Sequence, residues 1–110
     1  MSRDDATLLD LLKAARLVVK FKGKLAKKVF LRDVKTQSAI LHQLLVIGEA
    51  VKRLSEDFRA EHSEMPWTRI AGMRDKLIHQ YDAVDLDEVW KTVTKDVGPL
   101  ISFLERLVPP

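Results

Sequence analysis

Apolar residues return along this chain at the three- and four-residue intervals of a helix, and no stretch sustains the two-residue alternation of a strand. Leu8, Leu11, Leu12, Ala15, Val18 and Val19 make a first stripe that closes near Gly23, the obvious breaker. The second stripe, Val34, Ile40, Leu41, Leu44, Ile47, Val51, Leu54 and Phe58, predicts a longer helix starting near Phe30. "AEHSEMPW" reads as a polar connection, and Pro66 suits the first turn of a new helix, where its missing N–H costs nothing. A helix or helix pair then carries residues 67–81, with Gly72 as a potential bend. "DLDE", Asp85 to Glu88, has the form of an N-cap with its reciprocal acid. It opens a last helix bearing Leu86, Val89, Trp90, Val93, Val97, Leu100, Ile101 and Leu104, with a kink expected around Gly98-Pro99 and an end at Pro109-Pro110. The pattern predicts an all-α, antiparallel four- to five-helix bundle, a single domain over residues 1–110 without repeats or linkers.

Two places break the simple amphipathic pattern. Between residues 40 and 51 the helix is apolar nearly all round, because Leu45, Val46 and Ala50 lie off the main stripe. A helix greasy on two faces is buried on two faces. The second face is therefore a candidate homodimer interface, formed by His42, Leu45, Val46 and Glu49. Spacing alone equally allows Glu49 to pair with Arg53 one turn on and His42 to be solvated. The other break is "MRDKLIHQYD", residues 73–82, where Arg74 falls among Met73, Leu77, Ile78 and Tyr81 on one side of the wheel.

Composition narrows the chemistry. With no cysteine, disulfides, thiolate nucleophiles and cysteine-ligated zinc are excluded. The opening Met-Ser-Arg-Asp-Asp is not a signal peptide, and no apolar run approaches the roughly 20 residues of a membrane span, so a soluble, cytoplasmic protein is expected. Net charge is +3, yet Lys20, Lys22, Lys24, Lys27, Lys28, Arg32 and Lys35 crowd one segment against Asp33 alone. That segment is either a solvated lysine-rich loop or a patch that attracts nucleic-acid phosphates. No glycine-rich phosphate loop and no paired-histidine zinc spacing occurs, so no metal and no cofactor are expected.

Of the three histidines, His62 lies in the polar connection and reads as a surface residue, which leaves His79 as the best general acid or base. Arg74 and His79 are five residues apart, about 140° and about 7.5 Å on a straight helix. They reach one phosphate only if the arginine bends across, the helix distorts, or a symmetry-related copy contributes its own pair. Asp75, four residues before His79, is placed to orient it. Sequence physics by itself favours the other reading of Arg74, a structural ion pair, since an unpaired buried charge is costly.

"RDKLIHQY" has the arginine, four residues, histidine, one residue, tyrosine pattern, and in this it resembles the HepT-like branch of the HEPN superfamily. The resemblance extends through "FLRD", "IGEAVKRLSE" and "PWTRIAGMRDKLIHQYDAVDLDEVW", most of residues 4–104, and includes Gly48 and Glu49. It implies a homodimeric bundle whose two motifs face each other across a cleft. It implies a toxin that cleaves RNA, tRNA by analogy, without a metal, with Arg74 and His79 as catalytic residues. It also implies a minimal nucleotidyltransferase antitoxin that transfers AMP from ATP to Tyr81. Asp75 would support the histidine, and Lys22, Lys24, Lys27 and Lys28 would contact RNA. The rivals are a non-catalytic module that binds a nucleotidyltransferase and presents its substrate, and a purely structural helical dimer.

Overall fold

The computed structural model describes residues 2–80 and 83–108, and every regular element among them is helical. In chain order these are α1 (Arg3–Lys22), α2 (Lys27–Phe30), α3 (Val34–Arg53), α4 (Glu56–Glu61), α5 (Trp67–His79), α6 (Leu86–Lys95) and α7 (Val97–Leu107). The all-α class follows the periodicity, although the elements are shorter and more numerous than the stripes predict. None of them is long and apolar enough to cross a membrane.

Side-chain caps explain where the chain breaks. Ser2 and Asp5 form a reciprocal capping box at the start of α1, and Gly23, at φ 53°, ends it in a conformation that side chains resist. The long second helix expected from Phe30 to Phe58 is instead three helices. Asp33 accepts from the Thr36 backbone N–H and starts α3 afresh, while Ser55 accepts from the Phe58 N–H and starts α4. Ser55 is itself fastened, since its backbone N–H and hydroxyl donate to the Asp4 carboxylate at 2.9 and 2.7 Å.

The last stretch divides at Asp96, which closes α6 and opens α7, three residues before Pro99. A proline in the first turn has no partner to lose, so the chain bends just ahead of it rather than at Gly98. Asp85 caps α6 as expected, accepting from Asp87 and Glu88 backbone N–H groups. The reciprocal half is missing, because the Glu88 carboxylate turns to Lys76 at 3.4 Å. Nor does Gly72 bend anything: α5 runs unbroken through it.

α3 is the central helix, packed on α1 along one flank and on α5 along another, with α7 covering α1 and α6. Leu11, Ala15, Val18, Phe30, Ile40, Ala50, Val51 and Leu104 are wholly inaccessible and belong to one apolar cluster. At about 25 cal/mol per Å² the leucine, valine, isoleucine and phenylalanine side chains among them supply about 1.5–3 kcal/mol each, the main source of helix stability here. Two stripe residues leave the core: Val19 is 47% and Val34 70% exposed, both at helix ends where the stripe overruns the packed region. His62 departs from its surface assignment. Its ring is half-buried between Phe58 and Phe103, with centroids at 4.5 and 5.3 Å, and its carbonyl accepts from Trp67 Nε1 at 2.9 Å.

Candidate active site

The α3–α5 crossing is made by a glycine. A Cβ on Gly48 would lie 2.1 Å from Arg74 Cβ and 3.3 Å from Arg74 Cα, so only a residue without a side chain lets the two backbones approach here. That approach brings the base of Arg74 into an apolar interface while its charged end meets carboxylates. Arg74 Nε donates to Glu49, and Nη1 donates to Asp75 at 2.9 Å. Asp75 in turn accepts from Lys52 Nζ at 2.6 Å. The cation amid a greasy stripe is thus resolved: its aliphatic stem packs, and its head is paired.

The four charges balance. Hydrogen bonds from Lys52 first and Arg74 second lower the Asp75 pKa, and those to Asp75 and Glu49 raise that of Arg74. The cluster is partly open to water, 26% for the Arg74 side chain and 45% for Asp75, so it orients more than it stabilises. The guanidinium Nη2 has no hydrogen-bond partner among the described residues. A planar donor group fixed by two carboxylates with one amine outward can receive an anionic oxygen.

His79 is the last residue of α5 and is exposed. The helix is regular up to it, so Arg74 and His79 leave on different faces of one protomer. Asp75 is engaged with Lys52 and Arg74, and no hydrogen bond joins it to His79 among the described residues. Tyr81 lies outside the described residues. On α3, Glu49 faces Arg74, not Arg53, which reaches Asp10 at 3.6 Å. His42 is exposed and Leu45 and Val46 are half-buried. Among the described residues no group of three or more His, Asp or Glu is arranged to hold a metal ion.

Residues 11–107 match the family described as Ribonuclease HepT-like. The chain belongs to this family. The HepT-like chain is similar to a protein of Thermococcus cleftensis named "Probable ribonuclease HepT", with 43% identity over 100 residues and 91% of each chain covered. A Methanocaldococcus jannaschii protein named "Putative RNase" is 38% identical over 103 residues, 94% of this chain and 85% of its own. Another of that name from Caldanaerobacter subterraneus is 43% identical over 92 residues, 84% and 81% of the two chains. No solved structure matches.

In this HepT-like chain the lysine segment is less free than a run of charges suggests. Lys22 Nζ sits 5.1 Å over the Trp90 ring, and Lys27 pairs with Asp87 at 2.8 Å, while Lys24 and Lys28 are exposed. Sequence reasoning missed Lys52. Its place three residues after Glu49, on the face that meets α5, was the available signal, but only the tertiary crossing supplies Asp75 as its partner.

Proposed function

We propose that this chain cleaves RNA, with tRNA as its substrate, as the toxin of a pair whose antitoxin is a minimal nucleotidyltransferase. The observation that carries the reading is the Arg74 guanidinium, anchored by Glu49 and Asp75, five residues before an exposed histidine in a HepT-like chain.

The chemistry needs no metal. His79 takes the proton of a ribose 2′-hydroxyl as that oxygen attacks the adjacent phosphorus, and the imidazolium so formed returns the proton to the departing 5′-oxygen, giving a 2′,3′-cyclic phosphate and a free 5′-hydroxyl. Arg74 meets the charge that grows on the phosphoryl oxygens. The two side chains point different ways on α5, so the active unit in this reading is a homodimer joined through the α3 face of His42, Leu45, Val46 and Glu49, with each groove lined by both copies. The antitoxin transfers AMP from ATP to Tyr81, placing a bulky anion two residues from His79, where it blocks entry and repels phosphate.

The test is cleavage of purified tRNA in EDTA. Arg74→Ala and His79→Ala should each lose roughly 100-fold or more in rate, with the helical spectrum and dimer mass unchanged; full activity in both variants overturns the mechanism. Tyr81→Phe should remain toxic in the presence of antitoxin and ATP.

The neutrality of the Arg74 cluster favours a second reading, in which the arginine is structural and the chain is a non-catalytic module that docks a nucleotidyltransferase. The purified protein would then cleave nothing and still form a stable complex.

A further inference from the structure

A groove of about 350 Å³ runs between α5 and α6, away from the Arg74 cluster, lined on one wall by Arg69, Gly72, Met73 and Lys76 and on the other by Glu88, Lys91 and Lys95. Ion pairs cross between its walls at two points: Arg69 to Asp96 at 2.8 Å and Lys76 to Glu88 at 3.4 Å. Those pairs use both carboxylates of the lining. Lys91 and Lys95, one turn apart on α6, have no ion-pair partner among the described residues, so four cations against two acids leave an excess of two positive charges. The wall opposite them has a gap at Gly72, where a Cβ would meet nothing within 4 Å.

The α5 wall has a direction. Arg69, Gly72, Lys76 and His79 follow at intervals of three and four on an unbroken helix, so they share one face and span about 15 Å, with the histidine one turn beyond Lys76 at the end of α5. We infer that this groove is the track for a single-stranded RNA backbone, with Lys91 and Lys95 holding phosphates while Lys76 leads the strand to His79. The inference rests on the RNA-cleaving reading. It moves the main RNA contact away from the Lys22–Lys28 segment, half of whose candidate lysines are engaged by Trp90 and Asp87.

Fluorescence anisotropy with a labelled 2′-O-methyl oligouridylate reads binding without turnover, because the attacking hydroxyl is blocked. Three variants of the full chain are compared with the wild type: Lys91→Gln with Lys95→Gln, Gly72→Glu, and Lys24→Gln with Lys28→Gln. Gly72→Glu adds a negative charge to the groove wall at a position where a Cβ meets nothing within 4 Å, so it tests the groove in a protein whose fold circular dichroism will verify. Both groove variants should bind roughly tenfold or more weakly, and the double lysine variant should lower the salt slope by about 1.4. The Lys24/Lys28 variant should lose less affinity than either groove variant, and an equal or larger loss overturns the groove as the main RNA contact. Groove variants that bind normally while the wild type binds and cleaves RNA overturn the track and spare the ribonuclease reading. A wild type that neither binds nor cleaves RNA overturns both.

Discussion

Substituting alanine for Gly48 adds a methyl group where the Arg74 Cβ already stands, 2.1 Å away, with Arg74 Cγ at 3.0 Å and Cα at 3.3 Å. The nearest of these atoms is fixed to the α5 backbone and cannot swing aside, so α3 and α5 must separate by more than an ångström. Overpacking of this kind costs about 1–3 kcal/mol, and backbone involvement puts Gly48→Ala at the upper end. The helix-propensity gain of alanine over glycine offsets about 0.5–1 kcal/mol of that. A net loss of about 2 kcal/mol lowers the melting temperature by roughly 10 °C in a chain of this size. Gly72→Ala is the matched control on the facing helix: its Cβ enters open space, so only the propensity gain of about 0.5–1 kcal/mol remains. Thermal and urea unfolding followed by circular dichroism measure both. Gly48→Ala melting at or above the wild type would refute the claim that close backbone approach at this crossing requires glycine.

Arg74→Lys keeps the charge but cannot hold Glu49 and Asp75 at once, so RNA cleavage in EDTA should fall by roughly tenfold or more while the circular dichroism spectrum stays unchanged. Phe30→Ala empties a fully buried site 5.3 Å from the Trp90 ring; it should cost about 3–5 kcal/mol in urea unfolding and alter tryptophan emission. Hydrogen bonds from Ser55 hold the Asp4 pKa below 3.8 in the folded state, so its contribution is complete above that value and disappears as pH falls through the folded pKa. Asp4→Asn should therefore be less stable than the wild type at neutral pH, and the difference should vanish in acid titrations of unfolding.

Helical period alone was enough to give the all-α class, because α1 and α3 bury stripes that recur at three and four residues. Breaks were harder to read. Ser55 and Asp33 are ordinary polar residues within an apolar rhythm, and Ser55 becomes a cap in company with Asp4, 51 positions away. Arg74 was legible as an anomaly from its neighbours, and Glu49 as a residue of interest, but their union depends on Gly48 letting two helices touch. Asp75 shows the limit of local spacing: a four-residue separation pointed it at His79, and the tertiary crossing pairs it with Lys52 and Arg74. His62 misled because a polar segment can still fold back over aromatic side chains.

The first and final helices of the fold lean on each other, since α7 covers α1. The flank of α1 that α7 covers therefore stays bare until α7 has been made, and among the long helices only α3 shelters α1 before then. A product cut short ahead of Leu100 leaves that flank exposed to water and open to aggregation.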